Sequence, residues 1–125
     1  MTVADNVRDV AERVSRAAAR AGRRVEDIKL VAISKTVGID MIREAIEAGV
    51  RIFGENYLQE ARGKIEAIGH GVEWHMTGHL QRNKARDAVN LFDMVQTIDS
   101  LELAQELDKR ARSAGKVISG LIEMN

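Results

Sequence analysis

Lys35 stands at the end of the aliphatic, β-branched run Ile28-Lys29-Leu30-Val31-Ala32-Ile33-Ser34. An amine at the carboxyl end of an apolar strand, ringed by loops, has its stem desolvated. Desolvation disfavours the ammonium and frees the amine to attack an aldehyde. Lys29 opens the same run, while Lys64, Lys84, Lys109 and Lys116 fall on predicted helices or their flanks, so no other lysine is placed in this way. From position alone, a lysine that merely starts a loop is the plainer alternative.

Gly54-Glu55-Asn56-Tyr57 follows a second apolar run and opens a helix. Glycine permits close backbone approach, asparagine can bond a ligand hydroxyl or phosphate, and a helix N-terminus favours anions. Asn56 is equally suited to cap that helix, with Gln59 completing a capping-box-like pair. His75, within Val72-Glu73-Trp74-His75-Met76-Thr77, reads either as an imidazole facing a ligand or as a hydrogen-bonded core residue. The three histidines and the carboxylates show no convincing metal-ligand spacing. Gln81-Arg82-Asn83-Lys84 with Arg86 is a basic helix start or a phosphate contact, and Asp99-Ser100 is most simply a helix cap.

The elements that must carry these residues follow from apolar periodicity. Val3, Val7, Val10, Val14, Ala17 and Ala21 recur at spacings of three and four, an amphipathic helix stopped by Gly22. Residues 28–34 then read as a buried strand, and Met41, Ile42, Ala45 and Ile46 as a helix closed by Gly49. The cycle repeats with strands at 50–53, 72–77, 93–98 and 117–124 and helices at 57–68, 83–91 and 101–114. Such βα alternation predicts a parallel sheet with right-handed crossovers. A doubly wound sheet and a partial (β/α) barrel of the TIM type both fit. Polar residues gather at each strand's carboxyl end, where barrels build their sites, so the expectation is α/β: a partial barrel of about five parallel strands with an extra N-terminal helix.

The chain has 125 residues, a length for a single domain over 1–125, and 45% of them are apolar. Nineteen basic residues balance nineteen acidic ones, which gives no field favouring nucleic acid or an anionic membrane. There is no cysteine, hence no disulfide framework or thiolate metal site. Charges run throughout residues 1–24, unlike a signal peptide, and no apolar run approaches the roughly 20 residues that span a bilayer. A cytoplasmic protein is expected. A closed eight-stranded barrel needs about 250 residues, so the chain reads as the N-terminal half of one, with open sheet edges through which it would pair as a homodimer.

Several motifs stand together in order: Val31-Ala32-Ile33-Ser34-Lys35-Thr36, Phe53-Gly54-Glu55-Asn56-Tyr57, Glu73-Trp74-His75 with Gly78, Leu80-Gln81 with Asn83-Lys84, and Thr97-Ile98-Asp99. Their combination resembles the pyridoxal phosphate homeostasis proteins, the YggS-like family, across the whole chain. The resemblance implies a barrel like the N-terminal domain of alanine racemase, with pyridoxal 5′-phosphate held as a Schiff base on Lys35 and Asn56 lining the same cavity. It further implies an intracellular role in cofactor homeostasis without catalytic turnover, and pyridoxal-phosphate-dependent apoenzymes as partners. The chain departs from the family in having Val37-Gly38-Ile39 and His79 where prolines are common, and no proline anywhere. A racemase-like enzyme and an inert fragment are the alternatives. A racemase needs acid/base groups on both faces of the substrate carbon, and only Tyr57 and His75 offer a second one.

Overall fold

The computed structural model describes residues 1–124, and the predicted end of the last strand at Asn125 lies outside them. Helix α1 (Val3–Arg20) begins with a reciprocal cap in which the Thr2 hydroxyl accepts from the Asp5 amide and the Asp5 carboxylate accepts from the Thr2 amide. It ends where Gly22 takes a φ of 68°. A one-turn 3₁₀ helix (Val25–Asp27) leads into β1 (Ala32–Ile33), α2 (Ile39–Glu47), β2 (Ile52–Glu55) and α3 (Leu58–Ile68). After β3 (Glu73–Met76) come a 3₁₀ turn (Arg82–Lys84), α4 (Ala85–Leu91), β4 (Met94–Ile98), α5 (Leu101–Ser113) and β5 (Ser119–Ile122).

The strands form one parallel sheet in the order β1-β2-β3-β4-β5. A doubly wound sheet reverses its strand order at a switch point, whereas here sheet order follows chain order throughout. Successive right-handed crossovers therefore stack α2 to α5 on one face, as in a barrel wall. That face is the core. Phe53, Trp74, Met76 and Val95 from the strands pack with Ile42, Ile65, Val89, Phe92, Leu103 and Leu107. Phe53 and Trp74 meet with ring centroids 5.6 Å apart, and the Trp74 indole donates to the Gly69 carbonyl at 2.8 Å, so the largest buried ring also has its polar atom satisfied.

The predicted cycle of elements is present, with corrections at the ends. The first strand was expected over 28–34, but only Ala32–Ile33 enters the ladder. As an edge strand with a single neighbour, β1 has one row of pairing groups, and Ile28 to Leu30 flank the start of β2 without joining it. The fifth strand, expected over 117–124, pairs only at Ser119–Ile122 for the same reason. The helix expected over 83–91 starts as a separate 3₁₀ turn, and the turn at Val25–Asp27 was not foreseen.

Candidate functional site

Alternation along the strands decides what faces the side opposite the helices, the lumen of the barrel. Ile33, Gly54, His75 and Met94 are paired across β1 to β4 and form one tier of that face. One tier nearer the carboxyl ends, alternation brings Asn56, Thr77 and Gln96, while Lys35 stands two residues past β1, outside the ladder. A 2.8 Å hydrogen bond from the Thr77 hydroxyl to Asn56 Oδ1 ties two members of this tier together. Gln96 reaches down a tier, its amide donating to His75 Nδ1 at 2.9 Å, which leaves the ring proton on Nε2 to meet Glu73 at 3.0 Å.

Lys35 occupies a turn between β1 and α2, and its neighbour Thr36 has a φ of 62°. The lysine was expected to have a desolvated stem; it is instead exposed. Five strands leave the lumen uncovered on one side, as the half-exposed Ile33 below it also shows.

The opposite side of the same turn is buried and charged. Glu55, fully buried on the helix-facing side of β2, accepts from the Ser34 hydroxyl and from Lys64 at 3.0 and 3.1 Å. The Lys64 side chain, 7% exposed, also donates to the Ser34 carbonyl and to Glu60 at 2.7 Å. Glu60 in turn accepts from the Thr36 amide. The hydrogen bond from Lys64, and after it that from Thr36, hold the Glu60 carboxyl below the usual glutamate range.

Two sequence alternatives are resolved by this geometry. Asn56 is not the helix cap: Tyr57 holds that place without a side-chain bond, and the Asn56 amide oxygen serves Thr77. His75 is buried and bonded through both ring nitrogens, yet sits on the lumen face, so the core and ligand-facing readings coincide. Ser100 caps α5 by accepting from Leu103, as expected. Arg82, Lys84 and Arg86 lie exposed around a helix start. No cluster able to hold a metal ion occurs among the described residues.

Sequence reasoning set Lys64 aside as a helix lysine. A signal for its burial was present: Ala61, Lys64, Ile65 and Ile68 follow the i, i+3, i+4, i+7 pattern of a core-facing stripe. Likewise Glu55 shares the strand face of Phe53, two residues earlier.

The model of the family described as "Alanine racemase, N-terminal domain" matches residues 6–125. The pyridoxal phosphate homeostasis protein of Escherichia coli K12 is 42% identical over 98% of this chain and 54% of its own. The PipY structure of Synechococcus elongatus with PLP bound superposes with a TM-score of 0.74 at 38% identity, covering 86% of this chain and 51% of that one. An alanine racemase of Clostridium difficile, 18% identical with a TM-score of 0.68, covers 93% of this chain and 30% of its own, a likeness of fold alone. The chain spans about half the length of the curated relatives it matches. Among the described residues no helix is long and apolar enough to cross a membrane.

Proposed function

The chain belongs to the alanine racemase N-terminal domain family, and from that we propose that residues 1–125 are the N-terminal part of a (β/α) barrel that holds pyridoxal 5′-phosphate on Lys35, in cytoplasmic homeostasis of that cofactor. The observation that carries the reading is an exposed lysine two residues past the carboxyl end of β1, beside the neighbouring strand β2 that Asn56 follows. The other lysines lack this placement: Lys29 precedes β1, Lys64 is buried, and Lys84, Lys109 and Lys116 belong to the helical segments or their ends.

The donor set suits the cofactor. Pyridoxal phosphate supplies an aldehyde that forms a C=N bond with an amine, losing water, and a ring that withdraws electrons. Lys35 provides the amine from a strand end. Because the Asn56 oxygen is engaged by Thr77, its amide nitrogen is left to donate to a ring or phosphate oxygen.

A carrier, not an enzyme, is the reading these residues support. His75 Nδ1 accepts from Gln96 and its Nε2 proton meets Glu73, so neither ring nitrogen is a free base. Tyr57 is exposed beside the site. Cofactor-dependent apoenzymes are the partners this role implies.

Borohydride reduction of protein mixed with pyridoxal phosphate, followed by peptide mapping, tests the reading. The label is expected on Lys35 and is lost in Lys35→Ala; a label spread over Lys84, Lys109 and Lys116 counts decisively against it. For the carrier reading, L-alanine in deuterated water is expected to exchange its α-proton no faster than with free cofactor. A positioned acid/base would add on the order of 10²- to 10⁴-fold, and such an excess, abolished by Tyr57→Phe or His75→Ala, would establish an enzyme.

A further inference from the structure

We propose that Lys64 is a positioning residue for Lys35, acting with Glu55 and Glu60 to fix the main chain on both sides of the reactive lysine. The inference rests on the reading of Lys35 as the cofactor lysine and concerns residues that make no contact with a ligand themselves.

Three charged side chains converge behind one short turn. Lys64 has three N–H donors, and three acceptor groups take them: the Ser34 carbonyl, the Glu55 carboxylate and the Glu60 carboxylate. Each carboxylate then reaches the turn by itself. Glu55 takes the Ser34 hydroxyl, and Glu60 takes the Thr36 amide. The Ser34 carbonyl also closes the turn by accepting from the Val37 amide at 3.0 Å. The residue before Lys35 is therefore gripped at its hydroxyl and carbonyl, and the residue after it at its amide. Lys35 itself takes no part in the cluster.

Two physical considerations separate this from ordinary core filling. Thr36 adopts a left-handed φ of 62°, disfavoured for a β-branched residue, and the charged acceptor at its amide compensates for that conformation. Left-handed geometry at Thr36 is what turns the chain away from the strand line immediately after Lys35. Secondly, a buried ion cluster contributes little to stability compared with apolar side chains of similar volume, because each charge must be desolvated. A hydrophobic plug would fill the space behind the turn equally well but could not hold a carbonyl, a hydroxyl and an amide in fixed directions. Orientation is the property this arrangement supplies, as outer hydrogen bonds do for metal ligands and catalytic groups.

The test compares full-length Glu60→Ala, Lys64→Met and Lys64→Arg with the parent chain and with Lys35→Ala. Glu60 is partly exposed, so Glu60→Ala releases the Thr36 amide while leaving the buried Lys64–Glu55 pair, and it decides the matter should Lys64→Met fail to fold. The probe is pyridoxal, trapped with borohydride and quantified peptide by peptide, alongside the melting curve and hydrogen exchange at the Thr36 amide. We expect Glu60→Ala to keep its cooperative melt, to exchange the Thr36 amide faster, and to label Lys35 about tenfold more slowly, a loss typical of a missing orienting partner. Lys64→Met should lose at least as much and Lys64→Arg should recover part of it. Parent-like labelling of Lys35 in Glu60→Ala, with labelling abolished in Lys35→Ala, overturns the positioning role and leaves the Lys35 reading intact. Labelling unchanged in Lys35→Ala removes the Lys35 reading, and this one with it.

Discussion

The main chain of Asn56 lies directly against Gly78: a β-carbon on residue 78 would come within 2.4 Å of the Asn56 carbonyl oxygen and 2.6 Å of its Cα. Both partners are backbone, so neither can rotate away. Gly78→Ala must therefore push the end of β2 from the end of β3, at a cost of about 1–3 kcal/mol as for other overpacked sites. Gly63, in the exposed middle of α3, meets nothing within 4 Å. Gly63→Ala should stabilise by about 0.5–1 kcal/mol through helix entropy. Urea unfolding of the two variants checks the contrast, and equal midpoints would show that the close approach does not govern stability.

Acid should loosen the Lys35 turn late. The Glu60 carboxyl is held low by Lys64 and then by the Thr36 amide. A group whose pKa is lower folded than unfolded contributes stability above its unfolded value, and that contribution is lost as pH falls through the folded value. The Thr36 contact should thus persist below the ordinary glutamate value of about 4.3 and break only at lower pH. Side-chain carbon and amide NMR titrations of Glu60 and Thr36 should share one midpoint, raised in Lys64→Met. A Glu60 midpoint at or above the ordinary value contradicts this.

At the other edge of the sheet, β5 pairs only with β4, and Ile122 is 80% exposed. An unpaired edge carrying an apolar side chain is a template for a second chain. The polypeptide of residues 1–125 should associate reversibly or exchange elements, and Ile122→Lys should shift it toward monomer in light scattering. A monodisperse monomer at every concentration, unfolding cooperatively, would rule this out.

The βα cycle was legible because each helix and strand carries its own periodicity, the short fourth helix included; the 3₁₀ turn that opens that helix and the pairing limits of β1 and β5 were not, since they depend on neighbours. The candidate site was legible by halves. Lys35 stands out as a polar residue closing an apolar run, and Asn56 as the residue following Gly54-Glu55. The cluster beneath them joins residues up to thirty positions apart, Ser34 to Lys64, through a lysine that reads as half of an ordinary Glu60–Lys64 helix pair. Only the arrangement of strands shows that the pair's third partner is Glu55. Of the two readings open for Asn56, the cap is absent because its side-chain oxygen is taken by the Thr77 hydroxyl and Tyr57 holds the cap position.

Because strand order repeats chain order, every ladder joins segments roughly twenty residues apart, from Ala32 with Phe53 to Met94 with Ser119. Closing loops of similar, modest length is a small and nearly constant entropic cost at each step. Such a chain can condense one βα unit at a time as it leaves the ribosome, each new strand finding its template already in place. The turn bearing Lys35 would then be set as soon as α3 has emerged, long before the sheet is finished.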